Sequence, residues 1–396
     1  MRRKLLRNLD KLAGRPIALA ALACNRVFRP RLHKPPAGPG PDGRPKRILA
    51  IKMVGLGDTI LMLTALRRLR QRFPDVAITA LVTPLSSGIV AGQPSVDEVF
   101  VYDALLWLNL IPGFVRLMRM VRKRRFDCVI DFEQHFLMTA VLAWLTGAGR
   151  RIGFRYNGSL RGRLFTDPVD LDPERHMVDN YMRLLAPLGI TSDPVDTLVG
   201  IAVSPEDEAK VASWLEAHGV TGDDVLVGLH AGSGPRAIHR RWDKERFAEI
   251  IRRMTTGLGV KVVLTGTARE GGLIREIIAL AGNGAALDAS GQFEPKQLAA
   301  LARRCRLFIS NDTGAMHIAA AVGTPTIGLF GPETPRRYAP IGKQNVSMYK
   351  PLHCSPCVAV HRGEARECDN PGCIAMITVE DVWAEVTRYD LASRRE

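Results

Sequence analysis

The chain has 396 residues, 46% hydrophobic and 24% charged, with 36 Gly and 25 Pro, a composition that excludes a collagen-like, low-complexity or wholly disordered protein and suits two domains. Its formal net charge is +15, but residues 1–47 hold 13 Lys or Arg against two Asp, so the other 349 carry only +4. That distribution argues against nucleic acid as a partner, and the longest uncharged apolar run near the N-terminus, 17–24, is far shorter than the ~20 residues a membrane-spanning helix requires.

The first element in chain order is the basic leader. Leu5, Leu9 and Leu12 recur at helical spacing among Arg2, Arg3, Lys4, Arg7 and Lys11, the pattern of an amphipathic helix lying on anionic lipid. Two readings compete with a surface anchor. One is a merely solvated helical leader; the other is a secretory signal, opposed by Asn25, Arg26 and Arg29 directly after the apolar run and by the lack of a small-x-small cleavage site. Residues 35–45, with five prolines and three glycines, read as a linker.

From Arg47 onward, apolar runs at 48–52, 76–82, 99–102 and 128–132 read as strands, and Met62, Ala65, Leu66, Leu69 and Phe73 share one face of an intervening helix. A second series of strands follows at 225–230, 261–266, 306–310 and 325–330. This βαβ rhythm predicts two doubly wound α/β domains, with the break between about 190 and 224. The expected division is a leader and linker at 1–46, a first domain at 47–200, a second at 201–376 and a closing helix and tail at 377–396.

Open parallel sheets bind ligands beyond the carboxyl ends of their strands, so three turns matter most. In the first, Gly55 and Gly57 bring backbone close to a ligand and Asp58 stands at the helix start. Ile60 occupies the place of the third glycine of a dinucleotide fingerprint, and no Walker A pattern occurs anywhere. Asp58 or Thr59 as a plain N-cap is the alternative. In the second turn, Asn311, Asp312, Thr313 and Gly314 join a strand to a helix, an anion site suited to a diphosphate, with His317 one helical turn past Thr313. Core or capping roles for Asp312 and His317 are the alternative. The third, 230–242, sets Gly232, Ser233 and Gly234 before Arg240 and Arg241, a combination suited to phosphate.

Together, GLGD at 55–58, the Gly/Ser loop ending in a basic residue and Trp242, and SNDTGAMHIAAAVGTPTIGLFGPETP at 310–335 resemble glycosyltransferase family 9, the ADP-heptose:lipopolysaccharide heptosyltransferases. RIGF at 151–154 and HMVDNYMRLLAPLGI at 176–190 add to a likeness that runs from about residue 47 to the end. The resemblance implies a GT-B fold: two Rossmann-like domains facing across a cleft, acceptor on the first and nucleotide sugar on the second, with a last helix at about 379–388 crossing back. It makes Asp58 the catalytic base of an inverting transfer, with Gly55 and Gly57 in the acceptor-side loop. It makes Ser233, Arg240, Asp312, Thr313, Gly314 and His317 donor-binding residues. The family usually places Lys where Arg240 stands, and a guanidinium is not a point charge.

The implied reaction moves a heptose or related sugar from an ADP-sugar donor to a lipopolysaccharide-core or other cell-envelope glycan or glycolipid acceptor. The enzyme is expected in the cytoplasm, peripheral at the inner membrane, with no cofactor required for catalysis. Two other functions stay open: a protein (autotransporter) heptosyltransferase, and a non-catalytic nucleotide-sugar or glycan-binding protein of the same fold. A non-enzyme has little reason to keep the Asp58 carboxylate. Finally, Cys354, Cys357, Cys368 and Cys373 have the ligand count of a structural thiolate site for zinc or iron, with free thiols the alternative. Similar cysteines in the autotransporter branch of the family imply iron.

Overall fold

The computed structural model describes residues 44–103, 110–156, 159–191, 194–234, 237–359, 364–365, 368 and 371–391, with Pro16, Ala18 and Leu19 of the leader. The chain divides into two compact units between Pro194 and Val195. The leader's Leu5, Leu9, Leu12 and their basic neighbours lie outside the described residues. Ala18 is fully buried in the core of the first unit.

The first unit is built from β1 (Arg47–Lys52), α1 (Leu56–Arg72), β2 (Ala77–Val82), α2 (Pro84–Val90), β3 (Glu98–Val101), α3 (Leu110–Arg124), β4 (Cys128–Asp131), α4 (Leu137–Leu145), β5 (Arg150–Arg155), β6 (Asp167–Asp170) and α5 (Met177–Arg183). The six strands are parallel, in the order β3-β2-β1-β4-β5-β6. Because helices cover the sheet, its central strands are apolar along their length rather than alternating: Ile48, Leu49, Ala50 and Ile51 of β1 are all fully buried. Leu49, Ile51, Leu81 and Val129 pack with Phe126 and Val141 in one core. The strand order reverses between β1 and β4, and the residues after these two strands therefore share one crevice.

The second unit repeats the plan with α6 (Pro205–Ala217), β7 (Leu226–His230), α7 (Lys244–Leu258), β8 (Lys261–Gly266), α8 (Gly271–Ala281), β9 (Leu287–Ser290), α9 (Pro295–Arg304), β10 (Leu307–Asn311), α10 (Gly314–Ala321), β11 (Thr326–Phe330) and β12 (Val346–Tyr349). Its parallel order, β12-β11-β10-β7-β8-β9, puts the reversal between β7 and β10. Val227, Leu229, Ile309 and Ile327 pack against Phe247 and Ile251 of α7. The closing helix, Val379–Val386, begins in a capping box between Thr378 and Asp381. The resemblance implies a helix that crosses back to the first domain. Val382 and Val386 are buried in the second unit's core, and the indole N–H of Trp242 donates to the Ile377 carbonyl at 2.8 Å just before the helix.

The eight strands read from the sequence correspond to β1–β4, β7, β8, β10 and β11. The other four, β5, β6, β9 and β12, are polar or short strands toward the sheet edges; β6 even carries Pro168, which an edge tolerates.

Candidate active site

At the β1/β4 reversal, the chain leaves β1 through Met53 and Val54 and turns at Gly55, whose φ of 91° is a left-handed conformation that glycine adopts without strain. A side chain there is excluded twice over, since a Cβ on Gly55 would lie 2.4 Å from Asp58 Oδ2. Gly55 is itself the N-cap of α1, and no side chain caps this helix. The Asp58 carboxylate is thus not spent on capping. Its Oδ1 accepts hydrogen bonds from the Gln134 amide (2.9 Å) and the Tyr181 hydroxyl (2.8 Å), and Gln134 also donates to that hydroxyl at 3.0 Å. Gln134 and Tyr181 are buried, and the Tyr181 ring is held edge-on by Phe132 at 5.5 Å. Oδ2 accepts no hydrogen bond from any described residue, on a partly exposed side chain.

Gln134 comes from the turn after β4 and Tyr181 from α5, which packs on α1. Neither was a candidate from sequence, although the switch-point rule points to the turn after β4. His135, next in that turn, has its Nδ1 buried without a partner among the described residues, and burial pushes its imidazole down to about 4. It stays neutral at physiological pH and places no second charge beside Asp58.

At the β7/β10 reversal, the candidate donor residues gather. Arg240 lies at the end of a short 3-10 turn, and its Nη1 donates to Asp312 Oδ2 at 2.7 Å. Thr313 is the N-cap of α10 and its hydroxyl lies 3.3 Å from that of Ser310. It caps no backbone N–H, so the first-turn amides from Gly314 on keep the donor character of a helix N-terminus. His317 is buried one turn further along the same helix. The Ser233 hydroxyl accepts from Arg241 Nε at 3.1 Å, while the Ser233 and Gly234 amides donate to one oxygen of buried Glu270 at 3.0 and 2.9 Å. Burial raises the Glu270 carboxyl, but hydrogen bonds from Thr267 and Gly234 outweigh it and hold the group below the ordinary range. Sequence reasoning missed Glu270, which follows β8 and sets the shape of the glycine loop.

Two further residues complete this region. Asn311, fully buried, accepts from the Trp242 amide at 3.1 Å and donates to the Ala231 carbonyl at 2.8 Å, tying β10 to both ends of the 231–242 loop. Glu333, after β11, pairs with Arg337 at 2.7 Å and lies within electrostatic reach of Asp312 and Arg240. Burial pushes its carboxyl up to about 7, and its Oε2 has no hydrogen-bond partner among the described residues. Of the cysteines, Cys373 is buried, Cys357 half-buried and Cys354 and Cys368 exposed, all as free thiols. Burial and then the neighbouring Cys373, Cys354 and Cys368 push the Cys357 thiol up. Among the described residues no group of three or more His, Cys, Asp or Glu side chains is placed to hold a metal ion.

Two Rossmann-like units, each carrying its candidate residues at the reversal of strand order, are the architecture of the GT-B fold. The chain belongs to glycosyltransferase family 9 (heptosyltransferase), whose family model matches residues 114–365. It is 25% identical over 299 residues to lipopolysaccharide heptosyltransferase 2 of Escherichia coli (strain K12), across 73% of this chain and 84% of that protein. A crystal structure of the glycosyl transferase family 9 from Veillonella parvula DSM 2008 aligns with a TM-score of 0.74 at 27% identity, covering 87% of this chain and 96% of that one. The E. coli ADP-heptose lps heptosyltransferase II shares the fold, with a TM-score of 0.70 at 23% identity over 86% of this chain and 98% of that one.

Proposed function

We propose that this glycosyltransferase transfers a heptosyl residue, with inversion, from ADP-heptose to a lipopolysaccharide-core acceptor. The relatives named for that substrate class support the reading. The observation that carries it is the asymmetry of Asp58: one carboxylate oxygen is saturated by two buried donors, while the other is open at the switch point of the first sheet. A carboxylate held this way has one oxygen left to take a proton. As the acceptor hydroxyl attacks the anomeric carbon, its proton passes to Asp58 Oδ2, and the bond from that carbon to the ADP oxygen breaks through an oxocarbenium-like transition state. Arg240 and the first-turn amides of α10 take the charge that grows on the departing diphosphate. Gly55 serves as the turn that makes room for Asp58, Gly57 as its companion in the acceptor-side loop, and His317 and Ser233 as supports of the donor turn and the glycine loop.

The reaction so described draws on no cofactor. Zinc or iron at Cys354, Cys357, Cys368 and Cys373 requires the thiols to converge beyond their described arrangement, so no step is assigned to a metal. No described helix is long and apolar enough to cross a membrane. We assign peripheral attachment at the cytoplasmic face of the inner membrane to the basic leader.

Asp58→Asn tests the base. Asn keeps an oxygen for Gln134 and Tyr181 but cannot take a proton, so transfer from ADP-heptose, followed by mass spectrometry of the acceptor, is expected to fall by about 10²–10⁴-fold. ADP affinity is expected to stay the same. Activity within a few-fold of the parent protein rejects the assignment.

A further inference from the structure

The turn that presents Asp58 is itself held from beneath by a side chain the reaction does not use. Glu133, two residues past β4 and 1% exposed, accepts hydrogen bonds at Oε1 from the Met53 and Val54 amides, both at 2.6 Å. Its Oε2 accepts from the Lys52 ammonium at 3.1 Å, so one carboxylate grips three consecutive residues between β1 and the Gly55 turn. Glu133 is fixed in turn. Its amide donates to Asp131 Oδ1 at 3.0 Å, and its carbonyl accepts from Arg161, whose guanidinium also pairs with Asp131 Oδ2 at 2.7 Å. Lys52, Glu133, Asp131 and Arg161 are all 1% exposed or less, and their four charges sum to zero.

Such an array is a poor way to gain stability, since desolvating four charges offsets most of their attraction, and apolar residues of similar volume often hold a fold as well or better. Its geometry is specific instead. The same four-residue segment, 131–134, supplies the Asp131 anchor, the Glu133 grip on residues 52–54 and the Gln134 hydrogen bond to Asp58. We propose that Glu133 is a positioning residue for the transfer, acting through the Met53 and Val54 amides to fix where the Gly55 turn delivers the Asp58 carboxylate. This rests on the reading of Asp58 as the base. A displacement of about 1 Å at a reacting group costs up to about a hundredfold in rate, so a rigid mount for the turn has a kinetic value that its energy of folding does not measure.

Two charge-conserving or charge-balanced changes separate positioning from plain structure. Glu133→Asp keeps the ion pair but withdraws the carboxylate by one methylene from the two amides. The double variant Lys52→Met/Glu133→Gln removes both charges and keeps an oxygen for those amides. The expected result is a kcat about tenfold to a hundredfold lower for Glu133→Asp, with the thermal midpoint within a few degrees of the parent and ADP affinity unchanged. The double variant is expected to keep kcat within about fivefold. Wild-type kcat in a folded Glu133→Asp, or a loss in either variant that simply follows its loss of folded protein, overturns the proposal. Asp58→Asn in the same assay distinguishes the two failures: an active Asp58→Asn removes the base itself, whereas an inactive one beside a fully active Glu133→Asp removes only the positioning role.

Discussion

At the residue scale, Arg240 and Glu333 give the sharpest expectations. The ion pair of Arg240 with Asp312 means that removing the guanidinium both deletes the proposed phosphate contact and takes a neutralising cation from a carboxylate at the proposed anion site. These act in the same direction. Arg240→Ala is expected to weaken ADP binding by roughly 10- to 100-fold, the range of one charge-assisted hydrogen bond, and Arg240→Lys by less because charge is kept while the fork is lost. Calorimetric titration with ADP measures both, and unchanged affinity in Arg240→Ala moves the donor site elsewhere. Glu333 governs a pH dependence. Burial holds its carboxyl at about 7, above its unfolded value of about 4.5, so the folded state binds the proton more tightly than the unfolded state does. Its favourable contribution is complete below about pH 4.5 and is lost as pH rises through 7. Glu333→Gln is expected to flatten the slope of the thermal midpoint between pH 5 and 8, whatever the constant offset from leaving Arg337 with a neutral partner. Parallel slopes in scanning calorimetry contradict this.

At the element scale, the two crevices depend on loops being tied to strand ends, and Asn311 is the clearest tie. Asn311→Ala strands the buried Trp242 amide and weakens the Ala231 carbonyl's pairing, at a cost of about 3 kcal/mol in all. In a unit of this size that corresponds to roughly 6–12 °C in the melting temperature, and a shift under 2 °C contradicts the assigned role. The same elements mark how far the sequence can be read. Strands β1, β4, β7 and β10 were legible because burial on both faces makes them continuous apolar runs. β5, with Arg150, Arg151 and Arg155, and β6, with Asp167, Pro168 and Asp170, lack that pattern because charged residues and a proline interrupt their apolar runs. The candidate donor turn stands out in the sequence for a similar reason: Asp312, Thr313 and Gly314 are consecutive, so their small polar chemistry is written in one stretch. The partners of Asp58 are not. Gln134 and Tyr181 are 76 and 123 residues away in the chain, and only the strand order that sets β4 beside β1 and the packing of α5 on α1 bring them to it. Asp58 itself was visible, but a capping role could be set aside only once its carboxylate was seen bonded to Gln134 and Tyr181 rather than to the helix.

At the scale of the whole molecule, the charge distribution separates a catalytic body from a basic extension. Residues 48–396 carry a net charge of only +4, so long-range attraction to an anionic surface has to come from the leader. A basic residue near an anionic membrane contributes about 1 kcal/mol, and under the proposed attachment a few of them would reinforce a modest insertion of Leu5, Leu9 and Leu12. The burial of Ala18 in the first unit decides where to cut. Deleting residues 1–14 removes Arg2, Arg3, Lys4, Arg7 and Lys11 with the three leucines, yet leaves Ala18 and every residue from β1 onward in place. The deletion is expected to lower binding to vesicles containing phosphatidylglycerol by at least tenfold and to leave weak binding to neutral vesicles unchanged. High salt acting on the intact chain is expected to imitate the deletion, because it screens the same charges. Turnover on a soluble acceptor fragment is expected to persist, since Asp58, Arg240 and the 312–317 turn are untouched. Turnover on acceptor embedded in an anionic bilayer is expected to fall, because the enzyme loses its raised local concentration at the surface. Cosedimentation measures the difference directly: equal binding of the intact and shortened chains to anionic vesicles rules out the leader as the anchor.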